Sequence, residues 1–421
     1  MFLICDRDIL IGATSPALCA ISSKGTVQAL ECFLLSADKD TGILTVCGYD
    51  MEKGVKVTLS GDDIQIAESG RILINAAKFS SILRNLPAGN VAVKTDENMI
   101  VSISSKTRKS EFTMHGLDSE AYPLLPELSG PATFSINRNV LRSMITATHF
   151  AVASNSSTPA LNGALFEINQ NSLNIIALDR PRIALRRSFD GVAPNDTPDL
   201  QLSFIVPGKS LSELLKLIGD TEDPVEIQIT RKHAILSFDN LIFFSRLIDS
   251  DFPDYKRLIN INPVTTVIID TKSFIESVER ASLLTDDRLK SLVTLTFGKN
   301  GNNNNGENSE NSEENAGNAN STLQITSTTT LGNTYEECDI EMEGEDIVMG
   351  FNHRYLSDAL KACGEEKIML ILENPTKSML LLPYNIPAEA EEGSEPVAPD
   401  VSEMIATGRF LYLVLPIRPR D

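Results

Sequence analysis

Two stretches decide the fold: TFSINRNVLRSMI at 133–145 and TVIIDTKSFIESV at 266–278. Each passes from an alternating strand pattern, through a polar residue, into a segment whose apolar residues recur at helical spacing. The N-terminal MFLICDRDILIGAT is a third version. Inside each third a second copy follows: ILINAAKFSSILRNL (72–86), SFIVPGKSLSELLKLI (203–218) and IVMGFNHRYLSDALKA (347–362). Six strand–turn–helix units in one chain describe a quasi-symmetric object, and such repetition is read before any motif. A protein built by triplication uses its shape, because an active site needs asymmetry.

Each predicted helix begins at a residue suited to a helix entry: Asp6, Asn75, Asn137, Gly208, Asp270 and Asn352. After each second-copy helix comes a meander with a polar turn, as in NVAVKTDENMIVSISS (90–105). The reading is an α+β protein, each third holding two βαβββ units whose antiparallel sheets are covered on one face by helices. The repeat phase sets domains at 1–130, 131–262 and 263–421.

Composition agrees with several domains. The chain has 421 residues, 42% of them hydrophobic, more than one core can use. No long uncharged apolar run occurs, so no membrane span is expected. Asp6, Arg7 and Asp8 interrupt the N-terminus, which does not read as a signal peptide, and a cytoplasmic location is expected.

The six cysteines are scattered without metal spacing and read as buried free thiols. The four histidines stand alone. Phosphate-loop, dinucleotide, GxSxG and HExxH motifs are absent. The acidic pairs Asp62–Asp63, Asp118/Glu120 and Asp251/Asp254 suit turns better than metal ligation. No catalytic residue, metal or cofactor is expected, and the chain reads as a non-enzyme.

The net charge is −20, yet nine of those charges lie in two low-complexity segments, 298–322 and 386–405. The first is rich in Asn, Glu, Gly and Ser, the second in Pro, Ala and Glu. Neither buries enough apolar area to offset chain entropy, so 298–322 and 386–407 read as disordered loop inserts between strands. The helices are richer in bases: Lys78 and Arg84, Arg138 and Arg142, Lys209 and Lys216. In the last third Glu276, Glu279 and Asp358 roughly cancel Lys272, Arg280, Arg354 and Lys361. These cations are either the solvated faces of amphipathic helices or a surface facing a polyanion.

Four stretches carry a family resemblance: TVQALECFLL with CGYDMEKGVKV (26–57), PALNGALFEINQNSLNIIALDRPRIAL (159–185), SDFPDYKRLI (250–259) and the terminal LYLVLPIRPRD. In this order, on a threefold repeat, the chain resembles the bacterial sliding clamp, the beta subunit of DNA polymerase III. The resemblance implies three clamp domains, with helices lining the inside and sheets outside. Head-to-tail homodimerisation would close a ring around duplex DNA without reading its sequence. It implies a partner-peptide cleft made by Leu161, Leu178, Asp179, Arg182, Ile183, Pro253, Arg257, Leu258, Thr376, Ser378, Leu413, Leu415, Pro416, Ile417 and Arg418. The replicative polymerase, the clamp loader and repair proteins would dock there through a short hydrophobic peptide. Leu161, Ile183 and Leu415 also suit ordinary core. The chain departs from the family at Arg180–Pro181 in the cleft and at its extra Pro419, Arg420 and Asp421.

The resemblance further implies that Lys24, Asn155 and Lys209 face DNA. Lys78, Arg84, Arg138 and Arg142 join them from the charge pattern. Phe112 and Met114 would meet Leu283 and Leu284 of a second protomer. The competing expectation is a ring- or arc-shaped scaffold that binds peptides and does not load on DNA.

Overall fold

The structure is a computed structural model and describes residues 1–22, 27–61, 64–105, 107, 110–126, 132–170, 172–189, 192–194, 200–285, 292–299, 321–384 and 401–417. The helices are α1 (Arg7–Leu18), α2 (Ala76–Asn85), α3 (Arg138–His149), α4 (Gly208–Leu217), α5 (Tyr255–Leu258), α6 (Thr271–Ala281), α7 (His353–Cys363) and α8 (Val401–Thr407). Six of them, all but α5 and α8, are the helices of the repeat. Their N-termini are capped as their residue types require. Asp6, Asn75, Asp270 and Asn352 accept from the backbone N–H of Asp8, Lys78, Ser273 and Arg354. At α4 the cap position belongs to Pro207, and Gly208 is already helical.

The chain divides into two compact units. The first comprises Met1–Arg142, Ile168–Asn171 and Asp190–Asp249; the second comprises Ser143–Glu167, Ser172–Phe189 and Ser250–Asp421. In the first unit, five strands run in the order Ile64–Glu68, Phe2–Asp6, Asn90–Thr95, Ile100–Ser105, Ser110–His115. A nine-stranded sheet runs Val192–Pro194, Ala132–Asn137, Pro224–Ile229, His233–Phe238, Leu241–Arg246, Lys53–Leu59, Ile43–Tyr49, Cys32–Asp38, Gly70–Asn75. The pairings are antiparallel, and burial alternates along Phe2–Asp6, so one face meets the core.

Two glycines allow close approaches in this unit. Strand Leu241–Arg246 pairs with Lys53–Leu59, placing Phe244 opposite Gly54. A Cβ on Gly54 would lie 2.0 Å from Cζ of the fully buried Phe244 ring. A Cβ on Gly48 would lie 2.2 Å from the Ala17 carbonyl oxygen, where α1 crosses its strand.

In the second unit a sheet runs Gly163–Asn169, Ser172–Asp179, Arg182–Ser188, Phe410–Val414, Met379–Pro383, Lys367–Leu372, Thr265–Asp270, Gly332–Glu343, Ser321–Thr329, Leu292–Lys299, Ile347–Asn352. Phe274, Phe351, Phe410 and Tyr412 are among its fully buried side chains. Gly332–Glu343 pairs along most of its length with Ser321–Thr329, whereas Thr265–Asp270 joins its other edge only at Glu341–Glu343.

Both low-complexity segments sit between strands. Leu292–Lys299 pairs with Ser321–Thr329 out to Lys299↔Ser321, so the ends of 298–322 are strand, and 300–320 lie outside the described residues. The second segment was expected to be irregular to 407, but 401–407 forms α8. Half-buried Val401, Met404 and Ile405 anchor it, and the Arg187 Nη1 donates to the Ile405 and Gly408 carbonyls that end the helix. Residues 385–400 lie outside the described residues.

Candidate functional site

The apolar residues expected to form a peptide cleft converge in the second unit through strand register. Leu178 pairs with Ile183, Ile183 with Leu413, and Leu413 with Leu380, so these side chains share one sheet face. Leu161 leads into the neighbouring strand from the turn Pro159–Asn162. Leu161, Leu178, Ile183 and Leu413 are buried and make a packed floor.

The exposed apolar surface belongs to other members of the set. Leu258 and Leu415 are 52% and 39% exposed, and Pro253, Pro416 and Ile417 are half-buried. The Leu415 N–H donates to the Pro181 carbonyl and the Ile417 N–H to the Gly350 carbonyl, each at 2.8 Å. These two bonds stretch residues 415–417 from the Arg180–Pro181 turn to the edge strand Ile347–Asn352. Arg257 is exposed and pairs with Asp254 at 2.9 Å. Thr376 is exposed on a turn where its N–H and hydroxyl both donate to Asn374 Oδ1. Asp179 and Ser378 are half-buried, and Arg418 lies outside the described residues.

Arg182 departs from the expected arrangement. Strand alternation sends it to the sheet face opposite Ile183, towards α7. There its Nη1 donates to Asp358 Oδ2 at 2.6 Å. Its guanidinium lies 4.7 Å from the Tyr355 ring centroid and 5.4 Å from that of Phe150. Tyr355 and Asp358 were not picked out as site residues. Their spacing of three on a helix that buries Leu356, Ala359, Leu360 and Cys363 places both on one flank, a signal the sequence carries.

The cations expected to face DNA fall into two groups. Lys78, Arg84 and Lys209 are exposed on α2 and α4, and Asn155 is exposed on a loop. Lys24 lies outside the described residues. Arg138 is buried, with two nitrogens on the Asp239 carboxylate at 2.6 and 2.8 Å and its guanidinium over Phe238. That bond holds the Asp239 carboxyl below its ordinary range and raises Arg138. Arg142 is half-buried and donates to the Leu215 carbonyl at 2.6 Å, satisfying a carbonyl in the last turn of α4. Both arginines therefore spend their charge inside the protein, contrary to the charge-pattern reading. In the second unit Lys361 pairs with Glu279 and Arg280 with Glu336.

The residues expected at a protomer seam lie on exposed features of each unit. Ser110–His115 is the last strand of its sheet, with Phe112 exposed and Met114 half-buried. Leu283 is 78% exposed just beyond α6, with Leu284 half-buried beside it.

No group of three His, Cys, Asp or Glu capable of holding a metal occurs among the described residues. Asp118 uses its carboxylate to accept from the Glu120 N–H, as a turn residue does. Five of the cysteines are buried and Cys19 is half-buried; burial pushes the Cys32 and Cys47 thiols up to about 11 and about 12. No described helix is long and apolar enough to cross a membrane.

A repeated α+β fold with an apolar groove on one sheet and exposed cations on helices defines the class of DNA-clamp proteins. Family models for the N-terminal, central and C-terminal domains of the DNA polymerase III beta subunit match residues 1–126, 135–254 and 316–389. The beta sliding clamp of Staphylococcus aureus is 30% identical over 385 residues, covering 90% of this chain and 94% of that protein. The beta sliding clamp of Halalkalibacterium halodurans is 28% identical over 392 residues, covering 91% and 96%. The crystal structure of the DNA polymerase sliding clamp from Bacillus subtilis superposes with a TM-score of 0.83 at 26% identity, covering 100% of both chains. The chain belongs to the bacterial DNA polymerase III beta subunit family, the sliding clamps.

Proposed function

We propose that this protein is a DNA sliding clamp that encircles duplex DNA and tethers the replicative polymerase for processive synthesis. The observation that carries this reading is the similarity to clamps along nearly the whole chain. Its domains divide near 130 and 262, following the repeat. Retention on DNA is topological, so no base-reading site is needed. Exposed Lys78, Arg84 and Lys209 supply a weak, salt-sensitive attraction to phosphate.

Ring closure follows from two exposed features. The edge strand Ser110–His115 of one protomer adds to the open edge of Gly332–Ile340 of another, with Phe112 and Met114 packed on Leu283 and Leu284. Repetition of this contact makes a head-to-tail dimer. The groove edged by Leu258 and Leu415 takes a short apolar peptide from the polymerase, the clamp loader or repair proteins, with Leu161, Leu178, Ile183 and Leu413 as its floor.

The test couples size to retention. The protein should elute near twice its 46.0 kDa mass and stay on nicked circular DNA after loading, but slide off linear DNA. Phe112→Asp should halve the eluted mass. Loss of retention despite a competent loader would favour a scaffold that binds peptides without loading.

A further inference from the structure

The groove's exposed edge from Pro253 to Leu258 has little regular structure of its own, only the single turn α5. Its anchor is Tyr255, which is 5% exposed and points inward while Arg257 and Leu258 face solvent. The Tyr255 hydroxyl donates to Glu167 Oε2 at 2.7 Å. Burial and this bond both raise the phenol, so it stays a donor across the physiological range. Glu167 sits on Gly163–Asn169, the strand next to Ser172–Asp179, which carries Leu178.

A second tie reaches the opposite edge. Arg187 lies two pairs along its strand from Leu185, which faces Leu411. Its Nη1 holds the Ile405 and Gly408 carbonyls, and its N–H donates to the Arg409 carbonyl at 2.8 Å. These contacts fix the start of Phe410–Val414, the strand that ends at Leu415. Burial lowers Arg187, and the nearby Tyr255 and Glu167 oppose that shift. One buried group of Glu167, Tyr255 and Arg187 thus underlies both edges of the groove.

We propose that Glu167 is a positioning residue for peptide binding: through Tyr255 it holds the Pro253–Leu258 edge at a fixed distance from the Leu413–Ile417 edge. It touches no ligand. Its effect is to present Leu258 in place before a peptide arrives, so that ordering this edge does not weaken binding. The proposal rests on the groove being the peptide site.

The test uses the full-length protein and a fluorescein-labelled, leucine-rich synthetic decapeptide, with association and dissociation rates measured separately. Tyr255→Phe and Glu167→Leu should each speed dissociation about three- to tenfold, the range one net hydrogen bond supplies, with association unchanged. Glu167→Gln should restore the slow rate, because its amide oxygen still accepts from the phenol. Hydrogen exchange at the Ile259 amide, which donates to the Tyr255 carbonyl, should quicken in the first two variants and not in the third. An unchanged dissociation rate in Tyr255→Phe would overturn the positioning role while leaving the groove intact. A wild-type protein that ignores the peptide would sink the groove and the positioning role together.

Discussion

Asp358→Ala and Arg182→Met remove the same 2.6 Å ion pair, yet they should destabilise the protein unequally. The Arg182 side chain is 12% exposed and that of Asp358 is 44% exposed. Without Asp358 the guanidinium stays buried, its Nε already has no hydrogen-bond partner, and only the Phe150 and Tyr355 rings face it. Stranding a buried charge costs about 3–5 kcal/mol, and the residual exposure here lowers that to roughly 2–3 kcal/mol. Alanine's better helix propensity, about 0.5 kcal/mol, leaves a net loss near 2 kcal/mol. Without Arg182 the half-exposed carboxylate rehydrates. Methionine replaces cation–π contacts of about 0.5–2 kcal/mol with sulfur–aromatic contacts of about 0.3–1.5 kcal/mol. Arg182→Met should therefore cost about 1 kcal/mol or less. The chain has no tryptophan, so urea unfolding is followed by far-ultraviolet circular dichroism, comparing midpoints at unchanged slope. If Arg182→Met costs as much as Asp358→Ala, the stranded-charge account is wrong.

Other perturbations separate structural from functional residues. Gly54→Ala should destabilise by about 1–3 kcal/mol because its methyl overlaps the buried Phe244 ring, and Phe244→Leu in the same chain should recover part of the loss in thermal unfolding. Removing the phosphate contacts of Lys78 or Lys209 with Gln should flatten the salt dependence of DNA retention by about 0.9 per contact, whereas Arg138→Gln should lower stability and leave that slope unchanged. The Asp239 carboxyl is held low by Arg138, so its stabilisation is complete above the ordinary carboxylate pKa and disappears as pH falls through the lower folded value. Acid unfolding of Asp239→Asn should accordingly depend less on pH below about 4 than that of the wild type.

The repeat was legible because its punctuation is local. Asp6, Asn75, Asp270 and Asn352 cap their helices through side-chain bonds to residues two or three positions on. The groove's apolar members were reached through resemblance, and register explains why Leu178, Ile183 and Leu413 meet. What sequence could not supply was long-range partnership. Nothing near Arg138 announces Asp239, and nothing near Arg142 announces the Leu215 carbonyl, so solvated and internal arginines look alike. Helix α8 escaped notice because only three half-buried residues and the distant Arg187 hold it within a polar segment.

The sheet order of the second unit bears on biosynthesis. Phe410–Val414, the final strand of the chain, is interior to its sheet, between Arg182–Ser188 and Met379–Pro383. Until that strand is made, both neighbours keep an open edge, and edges of this kind invite mispairing with other nascent chains. The first unit ends at Asp249 and depends on no later residue. Vectorial synthesis would therefore finish one half of the molecule during elongation and leave the other for after release. A truncation that removes only the last strand should yield a folded first unit and an aggregating remainder.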